Sequence, residues 1–119
     1  MAPWHDTTPI FVQIRQRLIE MILKGVIPEG DVLPSVRQIA MDLEVNPLTV
    51  TKAYQSLVDL EIVEKRRGLG MYVAEGARAK LLAHEREKFL VVDWPRIRAQ
   101  IEALELDIEQ LLARKDGKI

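Results

Sequence analysis

The sequence contains no cysteine, which excludes disulfides, thiolate metal sites and a cysteine nucleophile, and fits a reducing cytoplasm. Histidine is nearly as scarce. His5 and His84 stand far apart, so no histidine-based metal site is expected and no cofactor is implied. Bulk charge is also missing: 17 basic against 18 acidic residues leave a net charge of -1. Attraction to a polyanion would therefore need a local basic patch. No apolar run approaches the roughly 18 residues of a membrane span. Met1 to Pro9 lacks the basic and apolar stretches of a signal peptide, so neither a membrane partner nor export is expected. An enzyme is not expected either. No nucleophile stands with a base, no P-loop is present, and Glu102, Glu105, Asp107 and Glu109 spread around one helix instead of converging.

What is there is a soluble globular balance. The chain has 119 residues, 48% hydrophobic and 29% charged, enough for one modest core or a small domain with an appendage. Ile14, Leu18 and Ile22 form a helical stripe that Lys24-Gly25 ends, with Thr8 expected as N-cap and Pro9 at the first helical position. Pro28 and Gly30 enforce a turn. Ser35 to Leu43 reads as a short helix, with Ser35 as cap and Gln38 as capping-box partner. After a tight turn at Glu44-Val45, Asn46 caps a third helix with Pro47 at its first position. That helix runs to about Leu60, with Tyr54 core-facing.

Residues 62–66 and 71–73 read as two short strands around Gly68-Leu69-Gly70. Ala77 to about Val92 reads as a further helix, and Asp93-Trp94-Pro95 as the start of the last one, with Trp94 a packing anchor. In that last helix Ile97, Ile101, Leu104, Ile108 and Leu111 recur at intervals of 4, 3, 4 and 3, a two-heptad coiled-coil stripe. The tail from Lys115 is expected to fray.

The order of helix, short helix, tight turn, helix and hairpin predicts a mainly α fold with a small β wing: a winged helix-turn-helix over residues 8–75, then a two-helix dimerisation segment over 77–114. In a helix-turn-helix the second helix enters the major groove with its N-terminal residues at base edges. Here that end carries Asn46, Leu48, Thr49, Thr51 and Lys52. Thr49 offers a hydroxyl and a thymine-compatible methyl, and Lys52 a cation for phosphate or guanine. The helix N-terminus itself favours phosphate. Arg37 is placed to clamp the DNA backbone. Lys65, Arg66 and Arg67 form a basic run at the wing, where Gly68 and Gly70 let the backbone come close to DNA.

Pro9-Ile10-Phe11-x-Gln13-Ile14, Gly30-Asp31-x-Leu33-Pro34-Ser35-x-Arg37-x-x-Ala40, Asn46-Pro47-x-Thr49-Val50-x-x-Ala53-Tyr54-x-x-Leu57 and Gly68-x-Gly70-x-Tyr72-Val73 together resemble the signature of the GntR family of bacterial regulators, over roughly residues 9–74. The short C-terminal part resembles the YtrA subfamily, in which two helices replace a ligand-binding domain and mediate dimerisation. The resemblance implies DNA contacts at Ser35, Arg37, Asn46, Thr49, Thr51, Lys52, Arg67 and Gly68. It also implies control of a neighbouring transporter operon, often with the regulator's own gene. Many members carry a basic residue where Pro47 stands, although Asn-Pro is usual in this subfamily. Glu61 stands where glycine often precedes the first wing strand, so that turn is expected to be strained or different.

The expected mechanism is a homodimer joined through Leu81, Phe89, Ile97, Ile101, Leu104, Ile108 and Leu111. It would set two recognition helices ~34 Å apart on a pseudo-palindromic operator and block a promoter. The appendage is too small to enclose a usual pocket of ~300 Å³, so a small-molecule effector would bind at the dimer interface or between the two segments. The alternative is a winged-helix protein-interaction module without DNA binding. Salt dependence of DNA affinity separates the two.

Overall fold

The computed structural model describes residues 7–114, and the chain divides into two compact units between Leu82 and Ala83. The tail expected to fray from Lys115 lies outside the described residues. The first unit begins with α1 (Ile10–Leu23), α2 (Val36–Leu43) and α3 (Pro47–Asp59). The wing follows as β1 (Val63–Arg66) and β2 (Gly70–Val73), then α4 (Ala77–Lys88). The second unit continues through a π-helical stretch (Phe89–Asp93) to α5 (Trp94–Ala103) and α6 (Ile108–Ala113). The fold is the mainly helical one with a two-stranded wing that the sequence predicts.

The first unit is held together by one aliphatic core. Ile14, Leu18 and Ile22 present the α1 stripe to Val50, Ala53, Tyr54 and Leu57 of α3, with Ile62, Val73 and Leu81 closing the cluster. Pro9, not Thr8, is the cap residue of α1. Its extended ψ of 142° puts it outside the helix, and the Thr8 carbonyl instead accepts the Gln13 side-chain amide at 2.8 Å.

The wing is an antiparallel hairpin in register Val63↔Val73 to Arg66↔Gly70. Its tip needs left-handed backbone at Gly68 (φ 74°) and Gly70 (φ 105°), which glycine supplies without strain. The segment after Pro28 does more than turn. Gly30 N–H donates to the Val73 carbonyl, Val73 N–H to Asp31, and Leu33 N–H to Met71, so residues 30–33 line β2 on its free side.

Glu29 then fastens the start of α4. Its carboxylate accepts the N–H groups of Gly76 at 2.9 Å and Arg78 at 3.1 Å, while Arg78 Nε donates to the Leu23 carbonyl at the end of α1. The Gly76 and Arg78 N–H groups hold the Glu29 carboxyl below the usual carboxylate range, so folding favours its ionised form. This contribution is complete above the ordinary carboxylate pKa and is lost as pH falls through the lowered one. The Glu29→Gln variant is expected to melt below the unaltered protein at neutral pH, with the gap closing as pH falls below the ordinary carboxylate range. A gap that does not change with pH would show that the charge plays no part.

Three helix stops use the left-handed region without glycine: Glu44 (φ 55°), Glu61 (φ 61°) and Glu105 (φ 51°). Each sits where a six-residue backbone bond closes the helix: Val45 N–H to Ala40, Ile62 N–H to Leu57, and Leu106 N–H to Ile101. At Glu61 the turn is thus the one glycine would make, occupied by a residue that bears its strain.

The second unit departs from the expected pair of regular helices. α5 starts at Trp94 as expected, but with no break before it, because the chain is helical throughout from Ala83 to Ala103. Pro95 has no N–H and crowds the turn before it, so the helix widens there, and Trp94 N–H reaches back five residues to the Phe89 carbonyl. The expected two-heptad stripe is also interrupted. Glu105 turns the chain out of α5, and Asp107 caps α6 by accepting Glu109 N–H at 2.9 Å. Ile97 and Ile101 therefore lie on one helix, and Ile108 and Leu111 on another. No helix among the described residues is long and apolar enough to cross a membrane.

Candidate nucleic-acid interface

Helices α2 and α3 are set by their caps. Ser35, in extended backbone, accepts Gln38 N–H at 3.0 Å through Oγ. The reciprocal half of the expected capping box is absent: the Gln38 side chain turns forward to Asp42 at 2.8 Å, where a carboxylate is the stronger acceptor. Asp42 is thereby engaged, and Arg37 is exposed with no partner among the described residues.

Asn46 accepts Leu48 N–H at 2.8 Å through Oδ1, leaving its amide nitrogen to donate outward. The first turn of α3 offers little to an anion through its backbone. Pro47 has no N–H, Leu48 N–H goes to the Asn46 side chain, and Thr49 N–H goes to the Asn46 carbonyl at 2.9 Å. The expected phosphate preference of this helix end therefore falls to side chains. Thr51 and Lys52 are exposed there, and Thr49 is half-buried. Leu48, which the sequence places at this end without giving it a contact, projects 76% exposed.

The opposite face of α3 is anchored. Tyr54 is 1% exposed, and its hydroxyl donates to the Pro34 carbonyl, which fixes the entry to α2 directly before Ser35. Burial pushes the Tyr54 pKa up to about 12. Arg15 of α1 donates to Ser56 Oγ at 2.9 Å, a link between α1 and α3 with no sequence signal. The two helices also meet where Lys52 Nζ lies 4.2 Å from the centroid of the Phe11 ring.

At the wing the basic run divides. Arg66 stacks on Tyr72 at 4.1 Å and pairs with Glu64 at 3.6 Å, so its charge is partly compensated. Lys65 and Arg67 are exposed and without a partner among the described residues, and Gly68 leads the tip.

Of the residues expected to join two copies, Leu81 is a correction. It is 1% exposed within the core of the first unit and cannot meet a second chain. Helical periodicity alone could not tell an inner face from an outer one. In the second unit Phe89, Leu104 and Ile108 are exposed, while Ile97, Ile101 and Leu111 are half-buried. Helices α5 and α6 bury none of their residues. The same unit carries an open groove of about 420 Å³ lined by His84, Glu87, Lys88, Val91 and Val92.

A capped helix-turn-helix with a basic hairpin beside it defines a winged-helix DNA-binding protein. Residues 11–73 match the family described as bacterial regulatory proteins, gntR family. The HTH-type transcriptional repressor YtrA of Bacillus subtilis is 38% identical to this chain over 95% of it and 92% of the repressor. Among solved structures, a GntR family transcriptional regulator from Listeria monocytogenes has a TM-score of 0.74 at 32% identity, covering 92% of this chain and 95% of that one. YtrA from Sulfolobus acidocaldarius, a GntR-family transcription factor, has a TM-score of 0.59 at 32% identity, covering 87% and 94%. The chain belongs to the gntR family of bacterial regulatory proteins; it is a DNA-binding transcriptional regulator and not an enzyme.

Proposed function

We propose that this regulator is a homodimeric repressor that occludes a promoter. The winged unit binds DNA and the C-terminal helices pair two copies. The observation that carries the dimer is that α5 and α6 bury none of their residues while Phe89, Leu104 and Ile108 stand exposed, an apolar surface that a second copy would cover. Two winged units related by a twofold axis suit a pseudo-palindromic operator with half-sites one helical turn apart. The similarity to a repressor over 95% of this chain supports repression as the outcome. An operator upstream of the protein's own gene, shared with a transporter operon, follows from the same subfamily reading. A small-molecule effector would act at the interface of the two copies by changing the spacing of the winged units. Operator affinity that stays constant under every inducing condition would remove the effector from this scheme.

Contacts divide by chemistry. Arg37, Lys52, Arg67 and the Ser35 hydroxyl would position the dimer on phosphates, with Arg66 contributing once released from Glu64 and Gly68 bringing the wing backbone close. Asn46, Thr49 and Thr51 would face base edges. Arg37→Ala is expected to weaken upstream DNA and random duplex alike, by about tenfold, and to reduce the salt slope by about one ion. Thr49→Ala should instead weaken upstream DNA several-fold more than random duplex. Fluorescence anisotropy on both duplexes at several salt concentrations decides this. Equal losses for Thr49→Ala would remove it as a reader of sequence, and salt-independent binding would remove the DNA-facing assignment of α3.

A further inference from the structure

Lys52 and Arg66 each have a cation seated on an aromatic ring, but their surroundings differ. Arg66 shares its charge with Glu64 at 3.6 Å. Lys52, 4.2 Å above Phe11, has no carboxylate partner among the described residues and is exposed on the outer side of α3. Phe11 comes from α1 and is packed against the core from behind. The ring is thus held by the fold, while its outer face carries the ammonium.

A free lysine gives up the freedom of four rotatable bonds when it binds a phosphate. Seated on a fixed ring, Lys52 meets much of that cost before DNA arrives. The attraction to the ring face still leaves ammonium protons for an oxygen acceptor. We infer that Phe11 is a positioning residue for DNA binding, holding Lys52 Nζ where it takes a phosphate oxygen. The inference rests on the reading of α3 as the DNA-facing helix. It gives a residue outside the helix-turn-helix a part in affinity.

The test uses the full chain and a random-sequence duplex at low salt, because a phosphate contact is indifferent to base sequence. Phe11→Leu is expected to weaken binding about fivefold. Phe11→Tyr, which restores an aromatic face, should stay within about twofold of the unaltered protein. Lys52→Met should weaken binding and lower the salt slope by about 0.9, whereas Phe11→Leu keeps the slope because the charge remains. In the Lys52→Met background Phe11→Leu should cost nothing further. Thermal melts accompany each variant, and Phe11→Met takes the place of the leucine variant if that one unfolds. Tighter binding by Phe11→Leu would overturn the inference by showing that ring and phosphate compete for Lys52. An equal loss in both backgrounds would overturn it by showing that Phe11 acts through the fold. Absent or salt-independent binding by the unaltered protein would remove the DNA-facing reading together with this inference. That outcome is distinct from variants that match a salt-dependent parent.

Discussion

Aspartate at both Ile101 and Leu104 is expected to make the protein monomeric and to lower its affinity for a two-half-site operator by about 100-fold. Ile101 is half-buried on α5, and Leu104, which closes that helix, is 66% exposed. Neither belongs to the core of the first unit, so the winged fold should survive the change. Two carboxylates in an apolar contact must be desolvated without partners, and a dimer cannot form around them. Each released winged unit then binds one half-site, and the gain from tethering two units on one duplex is lost. Sedimentation velocity gives the oligomeric state and anisotropy the affinity. A variant that remains dimeric would place the interface elsewhere, with the Phe89 to Val92 run as the next surface to alter. A monomer with undiminished operator affinity would show that dimerisation is not part of DNA recognition.

The second large effect is expected in the core beneath α3. Leu57 is fully buried on α3, and its carbonyl accepts the Ile62 N–H that ends the helix. Leu57→Ala removes three carbons from a closed cluster and should cost about 3 kcal/mol, with about 5 kcal/mol as the ceiling if the cavity does not collapse. For a unit of this size that lowers Tm by about 15 °C. Leu57 is buried while Arg37, Thr51 and Lys52 are exposed, so the folded fraction should bind DNA nearly as before. Calorimetry checks the first part and anisotropy well below the melt checks the second. A fall in Tm of only a few degrees would show that α1 and the wing close over the gap. A matching loss of affinity would show that α3 shifts on its base.

The winged helix-turn-helix was legible because its signals are local. Ser35 and Asn46 are caps that name the helix starts, Pro47 fixes the first position of α3, and the Ile14, Leu18, Ile22 stripe marks the buried face of α1. What escaped depends on distant partners or on compensated strain. Residues 30–33 line β2 through backbone bonds, which leave no side-chain pattern. Leu81 has a helical spacing that fits an outer or an inner face, and it is folded into the core. The break at Glu105 lacks the glycine that usually announces a left-handed stop, so the apolar heptads read straight through it. Pro95 marks the start of α5, but the widened turn that joins it to the helix before has no sequence signal. At the candidate interface the types of the exposed side chains are readable from the sequence. Which cations are free is not, because Arg66, Lys52 and Asp42 find partners that only the fold supplies.

The three left-handed glutamates bear on how often the chain opens. A side chain in that region costs about 1 kcal/mol relative to glycine, and among the described residues only Glu61 has an ion pair to set against it, exposed, with Lys80 at 3.2 Å. Glycine at the three stops would raise the ratio of folded to unfolded chains by up to about fivefold per site. The native glutamates therefore leave more of the population open to proteases at any moment. Proteases act on that open fraction, so backbone strain at the ends of helices is one lever on how long a folded chain of this kind lasts.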